Sequence, residues 1–122
     1  MIKSIHHVSL LVSSEEVLDF YKKLGFEEIY RKTRANDVIV LMDGYGMQLE
    51  VFADDRHPKR FLDLTEPLGC RHFALKVDDI SSTLSSLQER GIERHTDIGT
   101  DWVGERYCYI TDPDGNQVEL HE

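Results

Sequence analysis

The chain has 122 residues, 40% of them apolar and 30% charged, with a net charge of −9. That is enough chain for one domain or two very small modules with a real core, and the composition is not that of a disordered chain. The longest apolar run, Val38–Met42, is far too short for a membrane span, and the acidic balance argues against nucleic acid, whose phosphates need clustered Lys and Arg. The opening Met1–His7 lacks the apolar stretch of a signal peptide, and two cysteines, Cys70 and Cys108, make no disulfide framework; a reducing cytoplasm is the expected compartment.

In chain order, His7-Val-Ser-Leu-Leu-Val12 predicts a first strand. A helical pattern with Val17, Leu18, Tyr21 and Leu24 follows; Ser13 and Glu16 read as a capping box at its start and Gly25 as the left-handed cap at its end. Three strand-like stretches come next, about Phe26–Arg34, Val38–Met42 and Met47–Phe52. The pattern then recurs. His72-Phe-Ala-Leu-Lys-Val77 predicts a strand, Ile80 to Leu87 a helix capped by Asp78 or Asp79 and stopped at Gly91, and Glu93–Ile98, Glu105–Thr111 and Asn116–His121 three further strands. Asp112-Pro113-Asp114-Gly115 is a tight turn between the last two. The expectation is an α+β protein of two β-α-β-β-β modules, about 1–53 and 70–122. They are joined by residues 54–69, a stretch long enough to be a linker or a functional flap.

Strand phase brings out one constellation. Side chains alternate faces along a strand, so Val8, Leu10 and Val12 take the core face and His7, Ser9 and Leu11 the other. By the same count Glu50 lies opposite Leu49 and Val51, His72 opposite Phe73 and Leu75, and Glu119 opposite Val118 and Leu120. Each half therefore offers one imidazole and one carboxylate on its non-core face, at nearly the same spacing. Two His and two Glu suit Zn²⁺, Ni²⁺, Co²⁺, Mn²⁺ or Fe²⁺. A single such residue is usually an ordinary surface group; the fourfold recurrence makes the signal.

Several segments carry a family resemblance: Ile5-His6-His7-Val8, Phe20-Tyr21-Lys22-Lys23-Leu24-Gly25-Phe26, Gln48-Leu49-Glu50-Val51-Phe52, Gly69-Cys70-Arg71-His72-Phe73-Ala74 and Asp112-Pro-Asp-Gly-Asn-Gln-Val-Glu-Leu120. Together they resemble the vicinal oxygen chelate superfamily, in particular its small glyoxalase I-like bacterial members, over nearly the whole chain. The resemblance implies two β-α-β-β-β modules forming a curved, incomplete barrel around one divalent metal, with Ni or Zn foremost and Co, Mn or Fe as alternatives. It puts the metal ligands at His7, Glu50, His72 and Glu119. It further implies a lyase or isomerase of lactoylglutathione lyase type acting on a small molecule through a metal-stabilised enediolate. Glu119 is the better candidate for the catalytic base, with Glu50 as ligand and second acid–base group. A homodimer is implied too, with the site either within one chain or across the interface. The alternatives in the same superfamily are a protein that binds and sequesters a drug or metabolite, and a metal-dependent thiol transferase or dioxygenase. These last enzymes typically use two His and one Glu, so the second carboxylate favours the isomerase pattern.

Two positions depart from that pattern. Bacterial glyoxalase I enzymes commonly carry Arg four residues after the first His ligand and Asn four after the first Glu; here these are Leu11 and Asp54. Arg56, Lys59 and Arg60 could receive an anionic substrate instead, whereas Arg31, Lys32 and Arg34 read as a solvated hairpin. Asp97–Arg106, with Gly99 and Gly104 flanking Trp102, is a lid or a plain hairpin loop with an aromatic plug. Cys70 shares the phase of His72 and reads as packing. His6 has the wrong phase for a shared ligand role, and His121, one residue from the end, reads as a surface group.

Overall fold

The apolar run Val38–Met42 and the alternating stretch Met47–Ala53 build the centre of the first sheet, where every second side chain is fully buried: Val40, Met42, Leu49 and Val51. The structure, a computed structural model, describes residues 1–58 and 66–122, and the chain divides into two units, Met1–Pro58 and Lys59–Glu122. The first holds β1 (Val8–Val12), a 3-10 turn (Glu15–Val17), α1 (Leu18–Leu24), β2 (Glu27–Thr33), β3 (Val38–Gly44) and β4 (Met47–Ala53), in the sheet order β1-β4-β3-β2. The second holds β5 (Phe73–Lys76), α2 (Ile80–Glu89), β6 (Gly99–Thr100), β7 (Arg106–Thr111) and β8 (Gln117–His121), in the order β5-β8-β7-β6. Both sheets are open and mixed: β1 runs parallel to β4 and β5 parallel to β8, and the remaining pairs are antiparallel. This is the predicted α+β fold of two β-α-β-β-β modules.

The helices form where an apolar stripe can be buried against a sheet. α1 buries Leu18, Phe20, Tyr21 and Leu24, and α2 buries Ile80 and Leu87. Each such side chain contributes about 1.5–3 kcal/mol by leaving water. Asp79 caps α2, its Oδ1 accepting from the Ser82 N–H at 2.7 Å. The expected capping box at Ser13 and Glu16 gives way to another start: the chain enters through the 3-10 turn with Ser14 extended at its head and no side-chain cap bond there. The tighter turn lets Val17 reach the core one residue ahead of α1.

Gly25 ends α1 at φ 118°, donating to the carbonyls of Tyr21 and Lys22. Tyr45 Oη donates to the Leu24 carbonyl at 2.5 Å and occupies the space into which a Cβ at position 25 would project.

The strand expected at Glu93–Ile98 does not form as a ladder. Only His95 bridges, to Ile110, and the true edge strand is the two-residue β6. The reason is local: Thr96 N–H donates to the Tyr109 carbonyl, but Tyr109 N–H goes to the Thr96 hydroxyl rather than to a carbonyl. A side chain takes the place of the backbone acceptor, and pairing stops. The turn at Asp112–Gly115 forms as expected. Buried Asp112 accepts the N–H groups of Asp114 and Asn116, both at 2.9 Å, and Gly115 adopts φ 93°. Residues 59–65 of the expected linker, with Lys59 and Arg60, lie outside the described residues.

Gly25→Ala tests the cap. It must hold an L-residue at positive φ and displace the Tyr45 hydroxyl, so a loss of roughly 1–3 kcal/mol is expected, read as a lower Tm in thermal unfolding.

Candidate metal centre

In both units the site is built by the same register. Val8 pairs with Leu49 and Ser9 with Glu50 across β1/β4; Phe73 pairs with Val118 and Ala74 with Glu119 across β5/β8. Each histidine stands one residue before its strand, so each meets the glutamate diagonally on the face away from the core. His7 Nε2 lies 3.6 Å from Glu50 Oε1, and His72 Nε2 lies 2.9 Å from Glu119 Oε2. The structure thus brings His7 to Glu50 and His72 to Glu119, the two pairs that strand phase indicates.

These separations lie just either side of the spacing of two ligands on one ion, the shorter being that of a direct hydrogen bond between His72 and Glu119. Two donors each about 2.1 Å from a shared cation stand about 3.0–3.4 Å apart in octahedral or tetrahedral geometry. The second ring nitrogens add to the test. His7 Nδ1 shares a hydrogen bond with His6 Nδ1 at 2.9 Å, which leaves Nε2 turned to Glu50. His6 is therefore a neighbour that orients the ring. His72 Nδ1 is buried and finds no partner among the described residues. A buried nitrogen of this kind calls for a partner outside the protein chain, such as water or an ion. Imidazole and carboxylate donors held this way fit a divalent metal.

The surroundings differ between units. In the second, the His72 ring meets Tyr109 edge-on at 5.1 Å, and Tyr109 meets Tyr107 at 5.7 Å. Tyr109 pairs with Glu119 across β7/β8 and shares its face. Burial, aided by the Glu119 charge, pushes the Tyr109 hydroxyl above its ordinary range. Tyr109 was not singled out from the sequence; the signal was available in its phase, two residues from Tyr107, but its partner across the hairpin requires the register. In the first unit, Asp54 is buried at the end of β4 and accepts Arg56 N–H, Nε and Nη2. Arg56 is thus engaged by a carboxylate rather than open to an anionic substrate, and the Asp54 carboxyl is held well below the ordinary carboxylate range by that guanidinium.

A third cluster lies outside the predicted set. Asp101, Glu105 and His121 bring their donor atoms within 4.8 Å of one another. His121 is not a free surface group. Its Nε2 meets Asp101 Oδ2 at 3.0 Å and its Nδ1 meets the Glu122 carbonyl at 2.7 Å, with Glu105 at 3.4 Å. The Asp101 hydrogen bond raises the His121 pKa. The other Asp101 oxygen accepts from Val103 and Glu105 N–H, so the 101–105 turn is pinned to β8. Trp102 at its tip is 94% exposed, which rules out a plug in this structure. Cys70 is exposed, so it does not serve as the packing residue its phase suggested, whereas Cys108 is buried.

The sequence matches the Glyoxalase/Bleomycin resistance protein/Dioxygenase superfamily over residues 4–120. The chain belongs to this superfamily. It is 29% identical to the uncharacterized protein YaeR of Escherichia coli K12, over 99% of this chain and 97% of that protein. It is 36% identical to a glyoxalase family protein from Enterococcus faecalis, with a TM-score of 0.90 and coverage of 99% and 98%. The fold alone is shared with a lactoylglutathione lyase from Agrobacterium tumefaciens (21% identity, TM-score 0.66, coverage 99% and 94%). It is likewise shared with a bleomycin-binding protein complexed with bleomycin (19%, TM-score 0.67, coverage 98% of each). The superfamily thus includes enzymes and binding proteins, and its members generally use a divalent metal. No helix among the described residues is long and apolar enough to cross a membrane.

Asp54→Asn should lower the Tm at pH 7. Because the folded carboxyl titrates below its unfolded value, its contribution is complete above about pH 4 and fades as pH falls toward the folded value. The Tm gap between wild type and variant should therefore narrow steadily as pH falls from about 4 to 2, with part of it persisting at pH 2, followed by thermal unfolding across that range.

Proposed function

We propose that the protein is a metal-dependent isomerase or lyase of glyoxalase I type, moving a proton between adjacent carbons of a small oxygenated substrate. The observation that carries this reading is the repeated His–Glu diagonal, one in each unit, with donor separations close to those on a shared cation. His7, Glu50, His72 and Glu119 would hold one divalent metal, nickel or zinc foremost. The metal supplies Lewis-acid polarisation of vicinal substrate oxygens, which acidifies the neighbouring C–H. The second carboxylate supports proton chemistry over oxygen activation, where a two-His, one-carboxylate set leaves positions open.

The chain's own residues supply the proton transfer. Glu119 is the drier carboxylate, its side chain 15% exposed against 29% for Glu50, and the Tyr109 ring lies beside its His72 partner. A carboxylate shielded from water exchanges its proton with the substrate rather than with solvent. Glu119 takes the proton from the acidified carbon and returns it to the adjacent one; Glu50 balances charge and coordinates. Neither cysteine forms a disulfide among the described residues, which is compatible with a reducing cytoplasm.

The protein should act as a homodimer. β1 and β5 are edge strands, and β1 presents few charges and an exposed Leu11; pairing of copies would cover such margins. Light scattering at tens of micromolar should give twice the chain mass, and a monomer would contradict the assignment.

The roles are separable with metal content measured in every variant. Glu119→Gln keeps an oxygen for the metal but cannot accept a proton, so turnover should fall on the order of 10²-fold or more at near-normal occupancy. Glu50→Gln should cost less. Near-normal turnover by a metal-replete Glu119→Gln would remove the proton-transfer role and leave a binding protein or a transferase.

A further inference from the structure

The neighbours of Glu50 speak to what is bound there. Two rows of paired residues cross the open face of the first sheet. Ser9, Glu50, Leu41 and Tyr30 form one, and Leu11, Phe52, Ile39 and Lys32 the next. Paired residues share a face, so Glu50 is bordered along and across its strand by Leu41, Phe52 and Leu11. Leu11 is 53% exposed and Tyr30 61%, while Ile39, Leu41 and Phe52 are half-buried.

Among the described residues, the two guanidiniums near Phe52 and the end of β4 are engaged. Arg34 lies over the Phe52 ring at 5.7 Å, and its guanidinium is held by Asp37 through two bonds, at 2.6 and 2.5 Å. Arg56 is held by Asp54. Lys32 stands on the outer strand β2, two strands across and one row along from Glu50, a separation on the order of 12 Å between backbones. A glutathione adduct brings two carboxylates and an ammonium group. On this face of the first unit they would meet mostly hydrocarbon, with the Arg34 and Arg56 guanidiniums already held by carboxylates.

We infer that the site selects a compact, uncharged substrate whose apolar or aromatic substituent packs on Leu11, Ile39, Leu41 and Phe52 beside Glu50, and that it does not take glutathione adducts. This rests on the metal-dependent reading above and names the substrate class of that same site. Leu11 and Phe52 are the residues that determine specificity. The aromatic pair Tyr107 and Tyr109 gives Glu119 of the second unit a similar border.

The test uses two chelators that differ only in their substituent, acetohydroxamic and benzohydroxamic acid, with S-methylglutathione as the third probe. Calorimetric titration of the zinc-loaded full chain reads binding without turnover, and elemental analysis reads its metal content. Benzohydroxamate should bind about tenfold or more tightly than acetohydroxamate, since burying most of a phenyl ring is worth that much. Leu11→Gln, at an exposed position, should shrink that ratio severalfold, and Phe52→Leu should shrink it as well. S-methylglutathione should bind more weakly than either hydroxamate. Equal binding of the two hydroxamates to a metal-replete protein would overturn the apolar assignment and leave the metal reading standing. Tighter binding of S-methylglutathione than of benzohydroxamate would overturn it too. A chain that takes up no metal would overturn both readings.

Discussion

The parallel pairing of the first and last strand of each module is the constraint on which the rest depends. It sets the two ends of a module side by side, so a residue just before the first strand and one in the last become diagonal neighbours. A slip of one residue would turn Glu50 or Glu119 into the core and Leu49 or Val118 out of it. The buried positions forbid that slip: Val51, Leu49, Val118 and Leu120 are all within 1% of full burial. Apolar burial thus fixes where the charged donors stand, and no direct attraction between His and Glu is needed to place them.

The turn at Asp112 enforces the same register from the other side. Its carboxylate satisfies the turn's own N–H groups and sets Ile110 against Val118 and Tyr109 against Glu119. The first module reaches its β3/β4 register through a different turn, with Tyr45 at φ 55° and its hydroxyl tied back to the end of α1. Two local chemistries arrive at one geometry, which indicates that the geometry, more than the turn, is what both halves share.

Much of this was legible in the sequence because its causes are local. Period-two alternation gave β1, β4, β5 and β8 their faces, and with them the orientation of His7, Glu50, His72 and Glu119. Gly25 and Asp79 signalled helix ends for reasons that act within a turn. What was not legible depends on partners far along the chain. Thr96 replaces a backbone acceptor only because Tyr109 lies opposite it, and His121 is tied down only because Asp101 returns to meet it. The status of Arg56 is intermediate. Its partner is two residues away, but the burial that makes Asp54 hold it follows from the Asp54 N–H bond to the Val12 carbonyl. The ligand assignment itself came from phase and resemblance, and the geometry adds the two short pairs.

The short β6 has a consequence for how the molecule meets its neighbours in a crowded solution. A foreign strand docks by reading a run of unpaired amides and carbonyls, and two residues offer too brief a template to nucleate a growing fibril. At the far side of the other sheet, β2 is long enough to serve, but Glu27, Glu28, Arg31 and Lys32 crowd it with charge. Thr96, by ending the ladder early in one module, does for that margin what four charged side chains do in the other: it guards the fold against templated aggregation.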